Sequence, residues 1–372
     1  MARKTNIALR LAIAASAFVG ACSPASAFPK FHAKWFFHER AALESVALTP
    51  DTVADAHGFL ESFDGTCLFY RYWPGAVAGN LHNDANPQEI VLVLHGIGAH
   101  AGPFRVVAEG LNPRGIPVYA MDTRGHGFSC GERDEVPDAA TENRDIAAMV
   151  AFLHESYPRT RIYLLGYSMG GIFALNYASQ ENSGLAGLVL LAPAISVSTG
   201  QELSTALKNP LIVPCAMFCR SKPVISLTGD RLPKDPQSRE EILGLRRDPL
   251  AYRKVSVRYV WELARETHGW PARAAAGVDV PTLIVRGDKD SLLPQKASKK
   301  LFAVIPATEK KAEAFPNVPH TALWTPETPK ILESIADWVD QSMRENLPAN
   351  LRSARAAKPP SPGGAPIETP KR

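Results

Sequence analysis

Four runs along the chain are apolar on both sides of the backbone: VLVL (Val91–Leu94), IYLLG (Ile162–Gly166), LVLLA (Leu188–Ala192) and TLIV (Thr282–Val285). Unbroken apolarity over four or five residues marks strands covered on both faces, as in the centre of a parallel sheet. With their weaker neighbours they predict eight strands: Phe59–Phe63, Cys67–Trp73, Glu89–Leu94, Pro117–Met121, Arg161–Leu165, Leu185–Leu191, Pro281–Arg286 and Lys310–Phe315. Helical spacing lies between them at Phe104–Leu111, Ala139–Ser156, Gly170–Gln180, Ala297–Val304 and Lys330–Met343. Strand and helix in alternation predict the α/β class, with a mostly parallel eight-stranded sheet flanked by helices. The first two strands, parted by Asp64-Gly65-Thr66, are expected to form an antiparallel hairpin at one edge.

The alternation stops after Ala194 and resumes at Pro281. From about residue 197 to 271 the chain reads as helical segments among Pro, Gly and charge clusters, without a strong strand. This is the pattern expected of a helical cap inserted after the sixth strand. The globular domain then covers residues 53–345. Beyond it, residues 346–372 are rich in Pro, Ala and basic residues and nearly devoid of large apolar ones, the composition of a disordered tail.

The N-terminus has the layout of an export signal. MARKTNIALR is a basic region and Leu11–Ala21 a short apolar one. Those 11 residues fall short of the about 20 needed to span the hydrocarbon core. Val19-Gly20-Ala21-Cys22 resembles the lipobox of bacterial lipoproteins, in which the cysteine is lipidated, so residues 1–22 read as a lipoprotein-type signal and Cys22 as the anchor. Ala25-Ser26-Ala27 offers a competing cleavage site that releases a soluble protein. In the following segment, residues 23–52, Phe31, Trp35, Phe36 and Phe37 mix with Lys30, Lys34 and Arg40. The mixture suits a membrane interface, and equally a helix packed on its own domain.

Composition adds little beyond this. A 45% hydrophobic, 21% charged chain of net charge +4 can bury a sizeable core, and its compact positive excess sits at the two ends rather than on a nucleic-acid-binding face. Cys67, Cys130, Cys215 and Cys219 are too few and too scattered for a disulfide scaffold, and Cys215 and Cys219 read as structural thiols that an oxidising compartment would allow to pair. No metal-ligand cluster accompanies them.

Candidate chemistry sits at strand ends. LLGYSMGG places Ser168 between glycines where a strand turns into a helix, the layout of a nucleophile elbow. A serine hydroxyl is a weak nucleophile and needs a base oriented by an acid. Downstream, VRGDKDSLLP brings Asp288 and Asp290 to a loop directly after an apolar strand. FPNVPHTALW brings His320, the final histidine, to a loop after the last strand. An oxyanion hole needs two backbone N–H groups. Met169, after the serine, is one candidate, and Ile97 in the loop His95-Gly96-Ile97-Gly98-Ala99-His100 is the other. His95 and His100 receive no chemical step.

The set HGIGAHAGPF, MDTRGHGFSCGE, GYSMGG, GDKDSLLP and FPNVPH resembles the monoacylglycerol lipase and lysophospholipase group of the α/β-hydrolase fold, which takes in serine aminopeptidase S33-type hydrolases. RRDPLAY (Arg246–Tyr252) resembles that group's cap. The likeness runs from about Val53 to Met343 and is specific for fold and triad more than for substrate. It implies Ser168 as nucleophile, His320 as base and, through a G-x-x-D pattern, Asp290 as acid, leaving Asp288 as a turn residue. Cys130 departs from the group's pattern and is read as incidental.

The expected activity is hydrolysis of acylglycerol- or lysophospholipid-like esters without cofactor or metal. In the cap, Leu207–Cys219 reads either as the lining of an acyl tunnel or as the cap's own core. Rival readings are a carboxylesterase, thioesterase or peptidase of the same fold, and a non-catalytic envelope binding protein.

Overall fold

The computed structural model describes residues 56–75, 87–195 except 134 and 136, and 270–345 except 291, 292 and 294; between these it describes 223–226 and parts of 239–262. The export signal with Cys22, the Phe31–Phe37 segment, Leu207–Cys219 and the tail lie outside the described residues.

Eight strands form one sheet in the order β1-β2-β4-β3-β5-β6-β9-β10. They are β1 (Ala56–Glu61), β2 (Cys67–Trp73), β3 (Glu89–Leu94), β4 (Val118–Met121), β5 (Arg161–Tyr167), β6 (Gly187–Leu191), β9 (Thr282–Gly287) and β10 (Lys310–Phe315). The hairpin β1–β2 is antiparallel, β2 pairs antiparallel with β4, and every other pairing is parallel. β1 ends earlier than its sequence suggests. The bond from Ser62 N–H to Thr66 C=O closes the turn, leaving Phe63 exposed with the Arg144 guanidinium over its ring.

All of β3, and all but the first residue of β5, are buried. Alternation decides which residue serves which layer. Ile90, Leu92 and Leu94 pack into one core with α2 (Ala139–Ser156), α3 (Met169–Ala178), α4 (Trp270–Ala275) and α5 (Gln295–Val304). Val91 and Val93 pack into the other with α1 (Arg105–Leu111) and α6 (Thr328–Glu345). Asp138 caps α2 by accepting a bond from Thr141 N–H at 2.8 Å.

From β3 the chain passes to β4 on one side and returns to β5 on the other. At such a reversal two loops diverge from the C-terminal sheet edge and leave a crevice between them. Here those are the loops after β3 and β5, which carry Ile97 and Ser168.

Two expectations are corrected. The insertion contains strands: β7 (Pro223–Ser226) and β8 (Lys254–Ser256) pair antiparallel in a small separate sheet. Runs of three and four residues are too short to stand out as a periodic signal. Cys130 is not incidental either, because it forms a disulfide with Cys67, with Cα atoms 5.1 Å apart. The β2–β4 pairing brings the loop after β4 back beside the start of β2, where Cys130 N–H also donates to Cys67 C=O at 2.8 Å.

Candidate active site

Strand β5 runs straight into Ser168, whose φ of 55° and ψ of −116° lie where an L-residue is strained. The strain is held by tertiary bonds. Ser168 N–H donates to Leu191 C=O at 3.1 Å, and Ala194 N–H and Gly171 N–H donate to Ser168 C=O at 3.0 Å each. The flanking glycines let helix α3 start this close to the sheet. A Cβ on Gly166 would stand 2.4 Å from Gly170 C=O, and one on Gly170 would stand 2.3 Å from Leu94 C=O.

Ser168 Oγ lies 2.8 Å from His320 Nε2, and His320 Nδ1 lies 3.0 and 3.1 Å from the two Asp290 oxygens. With Nδ1–H donated to the carboxylate, Nε2 carries the lone pair facing the hydroxyl. Asp290 Oδ1 also accepts from Leu293 N–H at 2.9 Å. The Asp290 side chain is fully buried while that of His320 is 20% exposed, so the imidazole is reachable and its carboxylate is sealed. Tyr167 stacks on the imidazole and donates its hydroxyl to His320 C=O at 3.1 Å. Asp288 points elsewhere, capping the turn after β10 by accepting from Asn317 N–H at 2.7 Å.

The loop after β3 passes directly beside the serine: a Cβ on Gly96 would stand 3.2 Å from Ser168 Cβ. Gly96 C=O accepts from His95 Nδ1–H at 2.8 Å and from Ala99 N–H at 3.2 Å. In a trans peptide the C=O and the next N–H point in opposite directions, so Ile97 N–H faces away from both. Met169 opens α3, and the first N–H of a helix has no partner within it.

The residues beneath this loop are the part of the site that sequence reasoning left without a role. His95 Nε2 accepts from Thr123 N–H at 3.1 Å, Thr123 Oγ1 lies 3.2 Å from His95 Nε2 and from His126 Nδ1, and His126 Nε2 lies 3.3 Å from the Tyr259 hydroxyl. Tyr259 O–H also reaches Met169 Sδ at 3.0 Å. Burial holds His95 and His126 neutral, lowering them to about 4 and about 3. Asp122 accepts from Ala101 N–H at 2.6 Å and Phe128 N–H at 2.7 Å. The signal was present as the D-x-R-G-H-G-x-S run, Asp122 to Ser129. Its role depends on contacts with the loop after β3, which no local pattern displays.

Among the described residues, no cluster of three or more His, Cys, Asp or Glu is placed to hold a metal ion, and no helix is long and apolar enough to cross a membrane.

A mostly parallel sheet with a strained serine at a strand–helix turn, backed by a histidine and a buried carboxylate, defines the class: an α/β-fold hydrolase. The chain belongs to the serine aminopeptidase S33 family, whose profile matches residues 85–327. Among its relatives is the monoacylglycerol lipase of Mycolicibacterium smegmatis, 28% identical over 261 residues, or 69% of this chain and 89% of that one. The monoglyceride lipase of Homo sapiens is 27% identical over 292 residues, covering 76% and 89%. Solved structures share the fold. The monoacylglycerol lipase of Paleococcus ferrophilus aligns with a TM-score of 0.60 at 21% identity over 74% of this chain and 99% of that one. A soluble variant of the Saccharomyces cerevisiae monoglyceride lipase with a substrate analog aligns at 0.62 and 22% identity over 78% and 98%.

Proposed function

We propose that the protein is a serine ester hydrolase that cleaves acylglycerol- or lysophospholipid-like esters through an acyl-enzyme on Ser168. The observation that carries this reading is the relay from Ser168 Oγ through His320 to Asp290, with both contacts at hydrogen-bond distance. His320 Nε2 takes the hydroxyl proton as Ser168 Oγ attacks the ester carbonyl. Asp290 stabilises the imidazolium that forms. The oxyanion is received by the N–H groups of Ile97, in the loop beside the serine, and Met169, the first residue of α3. His320 then returns its proton to the leaving alcohol, and water repeats the sequence on the acyl-enzyme. No step requires a cofactor. The lipid-like substrate class draws its support from the monoacylglycerol and monoglyceride lipases among the relatives.

Export is part of the proposal, as a lipoprotein anchored through Cys22 at a bacterial membrane surface. The basic and apolar N-terminal regions support it, and so does the Cys67–Cys130 disulfide, a bond that persists in oxidising compartments.

The test is a panel of monoacylglycerols, lysophospholipids, p-nitrophenyl esters and aminoacyl anilides, assayed with the intact protein and with Ser168→Ala. Turnover of the glycerol and lysophospholipid esters, lost in Ser168→Ala, is the expected result. Preference for the anilides would make the protein a peptidase instead.

A further inference from the structure

The loop after β3 is held on its outer side as well as from beneath. His100 Nδ1 accepts from Gly102 N–H at 3.1 Å, so the ring proton sits on Nε2, which donates to Asp248 Oδ2 at 2.7 Å. Asp248 belongs to the insertion, in the RRDPLAY run. Its other oxygen accepts from Leu250 N–H at 2.8 Å, which fixes the direction of the carboxylate. Four residues further on, Tyr252 N–H donates to Gly98 C=O at 2.7 Å. The insertion therefore grips the loop at Gly98 and at His100, directly after the Ile97 N–H.

Between those grips the backbone has little freedom. Gly98 has φ +68°, and Ala99 N–H closes a turn onto Gly96 C=O at 3.2 Å. Gly96 C=O and Ile97 N–H share one peptide plane. A shift of Gly98 or His100 thus rotates the Ile97 N–H through the turn that joins them.

We propose that Asp248 and His100 are positioning residues for the oxyanion hole, clipping the cap segment Asp248–Tyr252 to the loop so that the Ile97 N–H is aimed correctly only while the cap is seated. Neither side chain touches the reacting atoms. Their effect is carried by backbone geometry, and it makes the active site competent in the cap-docked arrangement. Asp248 also lines a cleft of about 760 Å³ with Pro103, Val106, Leu323 and Trp324.

The inference rests on the ester-hydrolase reading above, and the experiment separates the two. The full chain is compared with Asp248→Ala, His100→Ala, the double variant and Ser168→Ala. kcat and KM are measured on p-nitrophenyl butyrate, together with the affinity of a trifluoromethyl ketone, whose tetrahedral adduct on serine places an oxyanion in the hole. An active Ser168→Ala would overturn the underlying reading and the clip with it. With Ser168→Ala inactive, each clip variant is expected to lose about 10- to 100-fold in kcat with KM within about threefold, and ketone affinity to fall in parallel. The double variant should be no worse than the worse single one, because the two act as a unit. Asp248→Asn covers the case in which Ala variants do not fold. Its one oxygen serves Leu250 N–H or His100 Nε2–H but not both, and a loss of about 3- to 10-fold is expected. Unchanged kcat and ketone affinity in folded variants would contradict the clip. So would a rise in KM alone, or a fall in kcat with ketone affinity intact.

Discussion

The same short loop, His95 to His100, is held from two sides by chemistry of opposite kinds. Beneath it lie His95, Thr123 and His126, buried, neutral and hydrogen-bonded in series. On its outer side lies Asp248, a carboxylate whose side chain is 25% exposed. Burial opposes its ionisation, but the hydrogen bonds it accepts from His100 and from Leu250 N–H outweigh that and leave it below the usual range. The buried side belongs to the loop after β4 and is sealed beneath the sheet edge. The outer side belongs to the insertion and is partly open to solvent. With the proposed clip, such a loop takes its stability from one neighbour and its alignment from another.

The largest effect expected from breaking this contrast is on the buried side. The Cys67–Cys130 bond closes a stretch of 63 residues and ties β2 to the loop that carries Asp122, Thr123 and His126. Replacing both cysteines by serine should cost about 4 kcal/mol, read from urea unfolding of the oxidised protein and the variant. A loss under about 1 kcal/mol would mean that this loop is held without the bond. Next is a direct comparison of the two sides. His95→Ala leaves Thr123 N–H without its buried partner and removes one of the two donors to Gly96 C=O, and should cost about 2–3 kcal/mol. Asp248→Ala, at a part-exposed pair, should stay within about 1 kcal/mol. Equal losses would erase the distinction between floor and outer clip.

A further contrast lies in pH dependence. His95 and His126 have folded values below their unfolded 6.5, so the unfolded chain binds more protons and stability falls as pH drops from about 6.5 toward about 4. Glu142 works in the other direction. Burial first, and then the neighbouring Asp145, raise it from 4.5 to about 8, so stability falls as pH rises through that interval. Unfolding midpoints from pH 4 to 9 should show a weaker acid slope in His126→Gln and a weaker alkaline slope in Glu142→Gln. If Glu142→Gln left the alkaline slope unchanged, the carboxyl would have to ionise without cost in the fold.

Much of the sheet is legible in the chain because its central strands are covered on both faces and read as unbroken apolar runs. The candidate site is legible for a related reason: Ser168 and Asp290 stand just after two of those runs, and His320 follows the last, edge strand, each in a local motif. What escaped depends on strand order. Nothing near Cys130 announces Cys67, which comes beside it only because β2 pairs with β4. Thr123 and His126 fell in a recognised run, yet their service to His95 exists only because β3 and β4 are neighbours. Asp288 and Asp290 are told apart in the sequence only by the G-x-x-D resemblance; in the structure one carboxylate accepts from Asn317 N–H and the other faces His320. The strands of the insertion escaped because three or four residues carry too little periodicity.

The central claim is that Ser168 forms a covalent acyl intermediate. It is tested most directly by acid-quenching the protein within milliseconds of mixing with a monoacylglycerol and mapping the adduct by peptide mass spectrometry. The expected result is one acyl group on the peptide containing Ser168, absent in Ser168→Ala and accumulating in His320→Ala only at a greatly reduced rate. Turnover of the ester by Ser168→Ala at the rate of the unaltered protein, or an acyl group on another residue, would contradict the account.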